Sequence, residues 1–474
     1  MQQIIKISAL GFLLLICGFY TKGQFIQEIL DYKPAPGQFI NLVSTGTPDA
    51  AASIAGSDRR MVSLGAAGGY IVFRFSSPII NHPEHPYGVD FTLFGNPLPE
   101  WSEPGVVSVM KDENHNGLPD DTWLELAGSD HFFSNTRFLN RVIYKEPKAP
   151  ATDIAWYDNG GQSSLMVQNS FHTQSYYPGE VFPAEFYRDS CGFQFTLIRG
   201  NLIRHSETGS KSLRRAFGYA DNTLPGDLSS SLPDNPYTTV IEGYGGDAFD
   251  LSWAYSPDFG YADIDTAHFV KVQCSMYGIP GEVGEVSTEL TGGRLSTPQA
   301  FDFEENRLLI LEDIPAELPA GEHRLQAYFF ENGRHLPEEE IHWVSTGTGD
   351  PVHEDGSVLI SRDTDLEIIA SARNGDVQSG MLRVRFQDPT GYESFNIFNE
   401  LNFKIFPNPA MDFITMELSR DTRVTIFDMT GKVLFQSNIR PPGRNLNVSE
   451  FSQGLYYISA QNIAGVSVHS FIKR

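Results

Sequence analysis

The residues best placed to do chemistry lie in DENHNGLPDD, Asp112 to Asp121, where Asp112, Asn114 and Asn116 occupy every second position. Side chains at that spacing turn to one side of a tight loop and can surround a hard, oxygen-seeking cation. Gly117 allows the sharp bend. The Leu118 carbonyl and the Asp120 carboxylate fall where a calcium loop places its later ligands. The position that a helix–loop–helix calcium site gives to a bidentate Glu is here Trp123. The pattern therefore fits the shorter calcium loops that join β-strands. Its expected metal ligands are Asp112, Asn114, Asn116, Leu118 and Asp120, and its expected structural cofactor is calcium. Asp121 is either an alternative ligand or a support for the others. The competing reading is an Asx-rich turn whose side chains only accept from nearby backbone amides.

Two short apolar runs must position this loop. Val106, Val107, Val109 and Met110 precede it; Trp123, Leu124 and Leu126 follow it. Both read as strands. Other candidate sites are weaker. Gly65, Gly68 and Gly69 precede the alternating strand Tyr70 to Phe75, but no helix or Lys follows, so a close-packed turn is expected over a phosphate cradle. His82 and His85 have no third metal ligand nearby and read as exposed loop residues. Asp247 and Asp250, flanking Phe249, could meet a cation or sugar hydroxyls, although satisfying turn amides is the simpler role. His335 and His342 lack the HExxH order, and no GxSxG elbow, Walker loop or dinucleotide fingerprint occurs. No catalytic residue is assigned.

Composition sets the frame. With Gly 43, Pro 29 and aromatics at 12% among 474 residues, many short strands and turns are expected rather than long helices. The expected fold class is all-β, with several β-sandwich domains. A formal charge of -25 would repel a phosphate backbone, which argues against nucleic acid, and it equally disfavours docking to anionic lipid. Residues 1–23 read as a signal peptide: Lys6 supplies the charge and Ile7 to Tyr20 an apolar core too short to span a bilayer. Cleavage after Gly23 would start the mature chain at Gln24. A lipoprotein reading on Cys17 is disfavoured by Ile16. No transmembrane segment is expected in the mature chain. Cys191 and Cys274 either pair or remain as two buried thiols.

Several segments together carry a resemblance: PAPGQFIN, SLGAAGGYIVFRF, SEPGVVSVMKDENHNGLPDDTWLELAGS, AWYDN, FGYADN, GGDAFDLSWA and IDTAHFVKVQ. Across about Asp31 to Leu290 the chain resembles an uncharacterised group of Bacteroidetes cell-surface proteins. The resemblance implies a jelly-roll-like sandwich outside the cell, and no activity. Some members of that group accompany surface nutrient capture, including cobalamin uptake.

Beyond Leu290, evenly spaced acidic strands such as RLLILED, HRLQAYFFE and LEIIASA suggest an immunoglobulin-like β module over residues 291–395. Leu401 to Arg474 contains FPNPA, VTIFDMTGKVLF with a Thr430–Gly431 hairpin turn, FSQGLYYISA and a terminal FIKR. That ordered set resembles the type A C-terminal sorting domain of the type IX secretion system, with Phe406 where Tyr is common. It implies a small β-sandwich, transit through the periplasm, passage across the outer membrane, and surface display or release. The type IX machinery is then a partner. The expected function is a secreted or cell-surface binding or adhesion protein, its ligand an extracellular glycan or other small surface molecule. The alternatives are a secreted glycan-active hydrolase and a surface nutrient-capture protein, for example for a corrinoid.

Overall fold

The computed structural model describes residues 25–57, 60–98, 101–150, 152–169, 172–179, 181–198, 202–205, 209–278, 285–301, 303, 305–387, 404–418, 421–428, 433–462 and 465–474. The signal-peptide reading at residues 1–23 and the Thr430–Gly431 turn lie outside the described residues. Strand takes 43% of the chain and helix 5%, so the architecture is all-β and built from several sheets, as composition suggests.

The first sheet runs, in spatial order, Ile26–Lys33, Tyr70–Phe75, Phe269–Cys274, Gly105–Met110, Trp123–Leu126, Ala254–Ser256 and Gly260–Tyr261. Its pairings are antiparallel. Gly105–Met110 sits in the middle and is buried at all six positions. Alternation explains this: Val107 and Val109 join the main core, while Val106 joins a smaller cluster with Ile198, Tyr219, Met276 and Val286 on the other face. A strand covered on both faces favours small and apolar residues, and here only Ser108 among the six is polar.

A second sheet places Phe91–Phe94 between Asp247–Phe249 and Gly292–Leu295. Phe91 stacks on Phe249 at 5.2 Å and meets Phe75 of the first sheet at 6.0 Å, closing the two layers into a sandwich. The strand at Gly292–Leu295 carries this pairing past Leu290. A four-stranded sheet of Ser163–Met166, Ile154–Asp158, Arg137–Lys145 and Ser190–Leu197 packs beside it. There Gly68, at φ 93, lets Phe193 approach so closely that a Cβ would lie 2.4 Å from the Phe193 Cβ. That is a packed turn. Cys191 and Cys274 are both buried and free, and the Cys274 thiol donates to the Val286 carbonyl at 3.3 Å.

The middle region packs Leu318, Val358, Ile360, Leu366, Ile368 and Val384 into its own core. It is also locked to the first sandwich. Phe330 belongs to the main core and meets Phe217 edge-on at 5.3 Å. Trp253, fully buried, donates its indole N–H to the Asn332 carbonyl at 3.0 Å. Gly333, at φ 77, leaves the indole its room, since a Cβ there would lie 2.2 Å from Nε1. Polar contacts reinforce the joint: Glu312 accepts from Ser134 and Tyr328, and Arg215 pairs with both Asp130 and Asp313. The last unit has two sheets, Lys404–Phe406 with Phe413–Glu417 and Gly443–Asn447, and Val433–Ile439 with Thr422–Asp428, Gly454–Asn462 and Gly465–Lys473. Ile414, Met416, Val424, Ile426, Ile458 and Phe471 fill the space between them.

Removing the indole leaves a cavity at the joint. Trp253→Ala should therefore destabilise the chain by about 3–5 kcal/mol. A fall in the urea midpoint measures it, and an unchanged midpoint would remove Trp253 from the joint.

Candidate functional site

The loop from Lys111 to Thr122 closes a hairpin in which Met110 faces Trp123, Val109 faces Leu124 and Ser108 faces Glu125. Asp112 is only 8% exposed. Its two carboxylate oxygens accept from Asn116 N at 3.1 Å and Gly117 N at 3.0 Å. Asn114 Oδ1 accepts from Asn116 N at 3.0 Å, and Asn116 Oδ1 from Leu118 N at 2.7 Å. The loop bends through His115 at φ 56 and Gly117 at φ 75, both left-handed. Its base is tied to the neighbouring strand: Asp112 N donates to His268 Nδ1 at 3.1 Å.

Four of the expected ligand side chains come together. The Asn114 amide donates to Asp120 at 3.1 Å, and the Asn116 amide reaches both Asp120 oxygens at 3.2 and 3.0 Å. Asp121 also joins, accepting from Glu113 N at 3.0 Å and from the Asn114 amide at 3.3 Å. The Leu118 side chain points to solvent, 56% exposed. The arrangement is an Asx-turn network gathered around carboxylates. A hard cation among Asp112, Asn114, Asn116 and Asp120 would take the carboxylate oxygens directly, and turning the two amide oxygens inward would exchange the bonds they accept from Asn116 N and Leu118 N for bonds to the ion.

The loop borders a cleft of about 340 Å³ lined by Asp31, Tyr70, Val72, Pro119, Trp123, Phe186, Gly192, Phe193, Gln194, Lys271 and Gln273. Lys271 Nζ lies 5.1 Å from the Trp123 ring centre, and Lys33 Nζ 5.7 and 5.3 Å from those of Tyr70 and Phe186. Asp31 Oδ2 accepts from Tyr70 at 2.9 Å and Lys33 at 3.0 Å. Burial, then the Asp31 charge, pushes the Tyr70 hydroxyl up to about 12. Burial lowers the Lys271 ammonium, partly offset by Glu125. Glu125 in turn accepts from His131 at 3.1 Å and Thr196 at 2.8 Å. Burial alone would raise its carboxyl, but these bonds and the Lys271 charge hold it below the ordinary range. The sequence reading does not pick out this cleft, because its walls come from segments up to 242 positions apart; the alternation of Tyr70, Val72 and Arg74 was the one local signal.

At the other end of the chain, residues 404–474 match the family model of the secretion system C-terminal sorting domain. The chain carries a type IX sorting domain. Export to the cell surface or beyond, and contact with the type IX machinery, follow from it. No curated protein matches the chain. A solved structure described as PorZ, a surface component of the type-IX secretion system of Porphyromonas gingivalis, aligns over 88% of this chain and 45% of that one. The identity is 11% and the TM-score 0.15. The chain thus spans less than half of that protein's length. Among the described residues, no helix is long and apolar enough to cross a membrane.

Asp247 and Asp250 act on turn amides. Asp247 accepts from Asn222 N at 3.0 Å and Asp250 from Ser252 N at 2.7 Å. Burial, then the Asp90 charge, pushes the Asp250 carboxyl up to about 7. Such a group favours folding as its neutral form. Its contribution is complete below the ordinary value of 3.8 and is lost as pH rises through about 7. Asp250→Asn keeps the acceptor for Ser252 N and removes the titration. Its urea midpoint should fall less than the parent's between about pH 5 and pH 8. An equally steep fall in the variant would contradict this.

Proposed function

We propose that this protein is exported by the type IX system to bind an extracellular ligand, with a glycan as the ligand class, in the cleft beside the Asx loop. The observation that carries the reading is the lining itself. Trp123, Tyr70 and Phe186 offer aromatic surface, while Asp31, Lys271 and Gln194 offer charged and amide groups. The C–H face of a sugar ring packs on aromatic carbon as its hydroxyls take the polar groups, the mix expected of a small-ligand site. A glycosidase needs two carboxyl groups flanking the scissile bond. Asp31 is the single carboxylate among the described lining residues, and Lys33 and Tyr70 already engage it.

In this reading the loop holds calcium through Asp112, Asn114, Asn116 and Asp120, with the Leu118 carbonyl and water completing the shell. The ion is structural: it fixes Pro119 and Trp123, which form one wall of the cleft. With two formal charges among the four side chains, affinity falls at about 10⁻⁴ to 10⁻³ M, as in extracellular modules. A tenfold excess over that constant then adds about 1.4 kcal/mol to stability.

Three measurements test this. A glycan screen on the mature chain should find a ligand whose affinity drops at least about tenfold in Trp123→Ala; binding that ignores Trp123 moves the ligand elsewhere. Raising calcium from about 0.1 to about 10 mM should raise the melting temperature of the parent but not of Asp112→Ala. Equal responses leave the loop as an Asx turn. Deleting Leu401 to Arg474 should strand the protein in the periplasm, and unchanged surface display of the truncated chain would refute the sorting role.

A further inference from the structure

Three acids from distant parts of the sequence meet behind the central strand. Glu103, Asp221 and Glu289 each bring an oxygen within 4.8 Å of the other two. Glu103 stands just ahead of Gly105–Met110. Asp221 sits in a left-handed turn at φ 58. Glu289 opens the short strand Glu289–Leu290, which pairs with Val62–Ser63. Asp221 and Glu289 are 0% and 1% exposed.

Backbone amides meet part of their demand. Asp221 accepts from Asn96 N at 2.9 Å and from Glu289 N at 2.8 Å, and Glu103 accepts from Ser287 N at 3.0 Å. One atom is left over. Glu289 Oε1 is buried with no hydrogen-bond partner. A buried carboxylate oxygen without a partner is costly, and nearby like charge makes it more so. The strongest charge effects on Asp221 and Glu289 come from other acids, Glu103 foremost. Burial, then this mutual repulsion, pushes both carboxyls well above the ordinary range. The fold also keeps space for the group: a Cβ on Gly95 would lie 2.2 Å from Asp221 Oδ1.

We propose that Glu103, Asp221 and Glu289 hold a buried calcium ion that clamps the entry to the central strand. An all-carboxylate donor set suits a hard cation over the softer transition metals. Oxygens within 4.8 Å of one another fit inside the about 4.6–5.2 Å between opposite ligands of calcium. Magnesium dehydrates reluctantly and keeps several waters, which a dry site disfavours. Oxygens that already accept an amide still have a lone pair for the ion. Glu289 Oε1 thereby gains its partner, and three acids need not all be protonated. This site is separate from the Asx loop, at the opposite end of the same strand.

The test uses the full mature chain carrying Asp112→Ala, which silences the loop. Purified in calcium and dialysed into metal-free buffer, it should retain one calcium per chain by elemental analysis. Chelator should lower its melting temperature, and readdition of calcium should restore it. Added terbium should replace the calcium and emit on tryptophan excitation, since Trp101 lies beside Glu103; Trp101→Phe should dim that emission severalfold. Glu289→Gln, nearly isosteric, should lose the retained ion. If that variant does not fold, the metal content and chelator response of the Asp112→Ala chain decide alone. A metal-free chain whose melting ignores both chelator and calcium would overturn the proposal and leave three acids sharing protons. So would an ion retained equally in folded Glu289→Gln.

Discussion

The burial of six consecutive residues, Gly105–Met110, is the constraint on which the rest depends. A strand covered on both faces contributes its full apolar area to stability, but the chain must leave and enter that dry layer somewhere. At both ends of this strand the transition is made by carboxylates. Asp112, almost buried, ends the strand by capping two loop amides. Glu103 enters it inside a cluster of acids. Pairing of the strand with Phe269–Cys274 on one side and Trp123–Leu126 on the other then transmits its position across the sheet.

The cleft is a by-product of that position. Trp123 begins the strand after the Asx loop, and Lys271 lies on the strand that pairs with the buried one. Their strands flank the buried one on either side, and their side chains meet across it because matched positions along paired strands share a face. Tyr70, one strand further, completes the floor. The loop conformation therefore bears directly on the cleft wall, through Pro119 and Trp123. Glu125, two residues along the same strand as Trp123 and on the same face, balances the Lys271 charge and is itself held by His131 and Thr196.

The joint between the first sandwich and the middle module has a different physical character. Trp253, Phe330, Phe217 and Phe132 interlock as rings, and buried acids and Arg215 answer one another around them. A dry aromatic contact of this kind resists the independent motion expected of domains linked through small polar interfaces. The first sandwich and the middle module are accordingly held as one body, whereas the sorting unit has a core of its own in Ile414, Val424, Ile458 and Phe471.

Local patterns carried far in this sequence. The convergence of Asp112, Asn114, Asn116 and Asp120 was legible because all four lie within one loop, where chain connectivity alone restricts their separation. The all-β class followed from alternation and turn residues, which act over a few positions. The sorting unit was legible in motif order. What local pattern could not reach was set by long-range pairing. Glu103, Asp221 and Glu289 look like unremarkable members of an acidic chain until the sheet brings them together. Tyr70, Phe186 and Lys271 read as ordinary strand and turn residues until register puts them beside Trp123. The two cysteines posed the same problem, and packing rather than spacing left both as buried thiols. By itself the sequence determined the local chemistry of the loop, the strand-rich class and the export address, since each depends on neighbours along the chain. Only the tertiary structure decided which distant carboxylates and rings share a space, because side-chain proximity across strands depends on register and layer packing.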